Sequence, residues 1–181
     1  MSVTRCMLAI AVAVTPIAAF CQTPIVYFGI LTGANESPAN ASPGGGHALV
    51  TYNPDNSMMR VQATFSDLST EGTGTVAAHI HCCVAAPSPN AGVATMTPSF
   101  ADFPLGVRAG TYDHTFDMTM TGSYSAAFLT AQGGSATLAR DVLLAGMASG
   151  VAYFNVHSAA FPGGEIRSTL FPDKVFAANF E

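Results

Sequence analysis

The chain has no tryptophan and a single lysine, Lys174, and only 9% of its residues are charged. Six Lys and Arg residues face eleven Asp and Glu, for a formal net charge of −5. No basic patch forms, so the chain lacks the electrostatic footprint that nucleic-acid binding requires. No apolar run reaches the ~20 residues of a membrane-spanning helix. Chemical signatures are missing as well: there is no nucleophile elbow, no phosphate-cradling loop and no paired-carboxylate motif. The run Ser42-Pro43-Gly44-Gly45-Gly46 precedes a strand and reads as a turn. No catalytic residue is assigned, and the expectation is a protein that is not an enzyme. Scarce charge with abundant Gly, Ala, Ser and Thr suits an exported β-rich domain better than a cytosolic enzyme.

The first residues explain the export. Arg5 gives a positive start, and Met7 to Ala19 is an apolar stretch too short for a bilayer. Ala19-Phe20-Cys21 then reads as a small-x-small cleavage site. Residues 1–21 are therefore expected to be a cleavable signal peptide, with Gln22 as the first mature residue and a secreted or periplasmic destination. A lipidated Cys21 would need a small residue before it, and Phe20 stands there. About 160 residues remain, enough for one sizeable core. Loss of Arg5 takes the net charge to about −6.

Alternation of apolar and polar residues predicts the strands. Ile25 to Leu31 forms the first; "GHALVTYN" and "MMRVQATF" follow, separated by the turn Asn53-Pro54-Asp55-Asn56. "TVAAHIHC" is the next, then comes an irregular stretch from Ala85 to Gly110 with Pro87, Pro89, Pro98 and Pro104. It is longer than a connection requires and is expected to cover or bind something. "TYDHTFDMTM" alternates throughout, with Tyr112, His114, Phe116, Met118 and Met120 on one face. "SATLARDVLLAGMASG" is a helix with Ser135 as N-cap, Gly150 as stop, and a stripe of Leu138, Val142, Ala145 and Met147. "VAYFNVH" and "GEIRSTLF" close the domain, and the tail from 172 to 181 has no place in the core. The fold class is mainly β, an antiparallel β-sandwich with one helix and one long loop.

The same alternation sorts the polar residues. With Val76, Ala78 and Ile80 inward, His79 and His81 point away from the core. With Phe154 and Val156 inward, Tyr153, Asn155 and His157 point outward; with Ile166 and Leu170 inward, so do Glu165 and Arg167. If these strands are neighbours, one face collects His79, His81, His157, Asn155, Glu165 and Arg167. An H-x-H pair plus a third strand histidine suits copper or zinc. A purely structural network, with Glu165 paired to Arg167 or to a histidine, suits the same residues. Spacing leaves both readings open. His114, on the apolar face of its strand, is expected to be a satisfied core histidine, and His47 an exposed one.

With Cys6 and Cys21 gone, Cys82 and Cys83 are the only cysteines left. In an oxidising compartment a vicinal disulfide is favoured. Free thiols remain the alternative, with Cys83 on the histidine face as a weak ligand and Cys82 a small buried hydrophobe.

Three blocks in order, "LTGANESP", "AHIH" and "AYFNVHSAAFPGGEIRSTL", resemble the CHRD domain, the module named from chordin. The resemblance runs over about Val26 to Phe171, and places a CHRD domain at 22–171. "AHIHCC", "GVATMTPSFADFPLGV" and "GTYDHTFDMT" are similar to a bacterial secreted subgroup of that family. Ser168 replaces the usual Gly, and the tail "VFAANFE" is not the apolar sorting anchor often found there. The matching positions are Glu36, His79, His81, Asn155, His157, Gly164, Glu165 and Arg167. The sandwich expected from the strands is superoxide-dismutase-like or Ig-like, the former by analogy with the H-x-H pair and strand histidine of copper/zinc dismutases; the CHRD resemblance implies a binding module for an extracellular or periplasmic protein or a metal ion, with no defining catalysis. A dismutase-like copper/zinc redox protein and a structural surface or matrix protein are the alternatives.

Overall fold

The computed structural model of the chain describes residues 22–84 and 89–173. The expected leader at 1–21 and all but two residues of the expected tail lie outside the described residues. Eight antiparallel strands make one curled sheet: β1 (Ile25–Thr32), β2 (Gly45–Asn53), β3 (Met58–Ser66), β4 (Thr75–His81), β5 (Gly110–Asp117), β6 (Tyr153–Ser158), β7 (Ile166–Thr169) and β8 (Phe171–Pro172). The spatial order is β4-β6-β7-β1-β2-β3-β5, and β8 pairs with β1. This is the mainly-β, sandwich-like architecture that the alternation predicts.

The meander β1-β2-β3-β5 follows from strict alternation. Met59, Val61, Ala63 and Phe65 are all buried on one face of β3, opposite Tyr112 and Phe116 of β5. Leu31, Val50, Ile80, Phe154, Val156 and Ile166 have no solvent exposure. Each such side chain contributes roughly 1.5–3 kcal/mol by leaving water. β5 ends at Asp117, so Met120 falls beyond the strand and is exposed rather than on its apolar face. His114 is only half-buried and lies 3.6 Å from Asp102, which corrects its placement as a core histidine. His47 is exposed, as expected.

Two helices pack against the core: α1 (Ala126–Ala131) and α2 (Ala136–Ala148). The short α1 was not expected. Ser135 caps α2 by accepting the Leu138 N–H, as predicted. The buried stripe, however, is Ala139, Leu143, Gly146 and Met147, while Leu138 is exposed. Met147 is buried as predicted, but periodicity alone placed the other three members of the stripe one residue off.

The proline-rich segment runs beside β4, whose other neighbour is β6. Ala94 N–H bonds the Ile80 carbonyl, Phe100 N–H bonds the Ala78 carbonyl, and Ser99 and Thr95 hydroxyls take the N–H groups of Ala78 and Ile80. A sheet edge is thus satisfied without a further strand. Phe100 and Phe103 carry the segment into the core. No helix among the described residues is long and apolar enough to cross a membrane.

Candidate metal centre

Register brings the histidines together. β4 and β6 pair His79 with Asn155, His81 with Tyr153, and Ala77 with His157. Directly opposed residues share a face, so His157 sits diagonal to His79 on that face. β7 extends the row by pairing Arg167 with Asn155. The face points away from the apolar core, yet His79, His81 and His157 are each less than a tenth exposed. This corrects the expectation of outward-facing residues: the proline-rich segment and the β6–β7 connection cover them.

That cover also orients the rings. A carbonyl oxygen can only accept, so each ring nitrogen bonded to one carries the hydrogen. His79 Nε2 donates to Pro98 O at 2.8 Å, His81 Nδ1 to Ala91 O at 2.9 Å, and His157 Nδ1 to Pro162 O at 3.0 Å. In a neutral imidazole the other nitrogen then bears a lone pair. Burial keeps the rings neutral: it pushes His79 and His81 down to about 4, and lowers His157 as well. Carbonyl bonds raise each value but do not overcome desolvation.

Two of the remaining nitrogens meet, and the third histidine stands beside them. One ring nitrogen from each histidine lies within 4.8 Å of those of the other two. His81 Nε2 and His157 Nε2 stand 3.4 Å apart, and neither carries a hydrogen for the other. Two imidazoles on a tetrahedral ion with ~2.0–2.1 Å bonds sit about 3.3–3.4 Å apart. His79 would swing inward by up to about 1.4 Å to join them. Its Nδ1 is buried and lacks a hydrogen-bond partner among the described residues. Carbonyl bonds behind the ligating rings are the usual outer support of a histidine metal site.

The neighbours form a polar shelf. Tyr153 stacks on His81, with rings 4.8 Å apart and 3° from parallel, and the Arg167 guanidinium carbon lies over the Tyr153 ring, 4.7 Å from its centroid. Arg167 donates to Asn35 O and Asn90 Oδ1 and lies 3.6 Å from the Glu36 carboxylate. Glu36, nearly buried, is pushed up to about 7 by desolvation, against the opposing pull of Arg167. Gly164, at φ 133°, lets the chain pass Asn155 and Glu36; a Cβ there would fall 2.6–2.8 Å from both.

Glu165 does not pair with Arg167. It is fully buried and accepts from Ser42 Oγ at 2.6 Å and Ser69 N–H at 2.5 Å, tying two loops to β7. The Arg167–Glu165 pairing fails because Ser42 and Ser69 take the Glu165 carboxylate, and Glu36 from the loop after β1 reaches Arg167 instead. Cys83 is not among the convergent ligands. β4 ends at His81, and Cys83 is disulfide-bonded to Cys82 beyond the strand.

Sequence reasoning did not find Tyr153 as the stacking partner of His81, although the β4–β6 register contains it. The carbonyls of Ala91, Pro98 and Pro162 leave no residue-type signal at all.

Comparison with curated proteins and with solved structures gives no match. A family model for the CHRD domain matches residues 27–170, most of the chain and every residue of the centre. The chain belongs to the CHRD domain family.

Proposed function

We propose that this is an exported, non-enzymatic CHRD-domain binding module that holds a single copper or zinc ion on His79, His81 and His157. One observation carries the reading: three neutral imidazoles, each fixed by a carbonyl on one nitrogen, cluster with a ring nitrogen each within 4.8 Å of one another, and two of their lone pairs meet. A structural network would place a donor against at least one of those lone pairs. Instead His81 Nε2 and His157 Nε2 meet at 3.4 Å as two acceptors. A cation between them removes that repulsion and supplies the partner that His79 Nδ1 lacks.

Three nitrogen donors suit both Zn²⁺ and copper, and imidazole alone does not choose between them. Export is supported by the apolar leader pattern and by the family, whose best-known member is extracellular. The test is metal analysis of protein purified from the periplasm or medium, followed by calorimetric titration of metal-stripped protein with Zn²⁺ and with Cu²⁺. One equivalent bound by the native chain, and none by a His79→Ala/His81→Ala/His157→Ala variant that keeps its fold, is the expected result. Native protein that takes neither ion leaves the cluster as a strand-locking network.

A further inference from the structure

The two cysteines form a site of their own beside the histidines. Cys82 is buried and Cys83 exposed. Both sulfurs lie against Gly146 in the last turn of α2: a Cβ there would overlap Cys82 Sγ and fall 2.8 Å from Cys83 Sγ. Cys82 N–H bonds Gly92 O, one residue from the Ala91 carbonyl that fixes His81. Val93 bridges to His81 itself. Val84 N–H bonds Val151 O, and Val151 N–H bonds Gly146 O, so α2 and the disulfide are joined on both sides.

We propose that Cys82–Cys83 is a thiol–disulfide exchange site, attacked at Cys83 by a dithiol, whose reduction loosens the histidine centre next to it. The consequence for the centre rests on the metal reading above; the exchange does not. A thiolate of the dithiol attacks the exposed Cys83 sulfur, and Cys82 leaves as a thiolate that takes up a proton. The second thiol of the reagent then displaces Cys83, which is released as a thiol. The dithiol is oxidised to its disulfide, and two electrons and two protons enter the protein.

Reduction changes the space the pair needs. Bonded sulfurs lie about 2.0 Å apart, whereas non-bonded heavy atoms rest at roughly 3.5–4.0 Å. The Gly146 backbone blocks motion toward α2, so the pair moves the other way. Cys82 carries its bond to Gly92 with it, and Ala91 O then releases or turns the His81 ring.

The experiment uses the full mature chain. Native oxidised protein is treated with dithiothreitol without denaturant, quenched with N-ethylmaleimide and weighed. Two added labels are expected; labels that appear only after denaturation overturn the exchange site. Oxidised glutathione is then given to Cys82→Ser and Cys83→Ser. Mixed disulfide forms at Cys83 at least about 10-fold faster than at Cys82 if exposure directs attack, and equal or reversed rates overturn the assignment of Cys83. The wild-type labelling decides the exchange even if a variant fails to fold. Finally, oxidised protein and reduced protein freed of reagent are titrated with Zn²⁺. Binding about 10-fold weaker after reduction is expected; equal or tighter binding overturns the coupling. If neither form binds zinc, the titration is repeated with Cu²⁺; if neither form binds either ion, the metal reading and the coupling fall together, while the thiol rates still decide the exchange.

Discussion

Replacing His81 with alanine removes one of the three convergent nitrogens and leaves the other two in place. A structural zinc contributes about 10–16 kcal/mol over four ligands, so one ligand is worth about 2.5–4 kcal/mol. That is two to three orders of magnitude in affinity, at about 1.4 kcal/mol per tenfold. At a free zinc concentration about 100 times the wild-type Kd, the ion adds ~2.7 kcal/mol to stability. For a chain of this size each kcal/mol moves Tm by ~2–4 °C, so zinc raises the wild-type Tm by about 5–10 °C. His81→Ala, with a Kd about 100-fold weaker, gains only ~0.4 kcal/mol and about 1 °C at the same concentration. The variant's metal-free Tm also falls, because a buried ring stacked on Tyr153 is lost. The zinc-induced shift, read by differential scanning fluorimetry, is therefore the quantity to compare, not Tm itself. The Ala91 carbonyl keeps the Tyr153 hydroxyl within 3.3 Å, so the loop retains a partner. His47→Ala is the control, since His47 is exposed on β2 and outside the cluster. A zinc shift that survives in His81→Ala, or that disappears equally in His47→Ala, refutes the assignment of the centre.

Gly146→Ala reverses a familiar sign. Alanine in a helix interior ordinarily adds ~0.5–1 kcal/mol over glycine, but here its Cβ meets both sulfurs, and a loss of about 1–3 kcal/mol is expected from urea denaturation. Glu36→Gln tests the raised carboxyl: with a folded value of about 7 above an ordinary 4.5, its stabilising contribution is complete below pH 4.5 and is lost as pH rises through 7. The variant should therefore gain on wild type between pH 5 and 8, by at most about 3 kcal/mol, and a difference independent of pH refutes the assignment. Glu165→Ala leaves the half-buried Ser69 N–H without its acceptor. A cost of roughly 1–3 kcal/mol is expected by chemical denaturation, with the zinc shift unchanged if Glu165 acts only as a loop tie.

Strand residues were legible because period-two patterning reports burial directly. Met59, Val61, Ala63 and Phe65 alternate with Arg60, Gln62 and Thr64, a pattern that a helix does not give. Helix α2 was legible as an element through Ser135 and Gly150 but not as an oriented one. Ala139, Leu143, Gly146 and Met147 face inward, with Gly146 against the disulfide, and that contact is tertiary. Cover over a polar face is equally invisible to alternation. Period two says that His79 and Val76 differ in face; it does not say that residues 91–99 will seal the histidine side and leave Val76 at 43% exposure.

The centre itself divides along the same line. Which histidines meet follows from strand parity and pairing, so His79, His81 and His157 could be named from the chain. What they are able to hold depends on which nitrogen of each ring is free, and that is decided by three carbonyls from Ala91, Pro98 and Pro162. A carbonyl is common to every residue type, so no sequence pattern marks it. Glu165 and Arg167 show the converse: two charged residues so near in sequence invite a pairing, yet loops distant in the chain supply Glu36 to one and Ser42 and Ser69 to the other. The lone-pair arrangement thus arises from backbone that the covering loops bring in. A substitution that re-routes the 89–99 segment should change metal affinity as much as loss of a ligand, without touching any histidine.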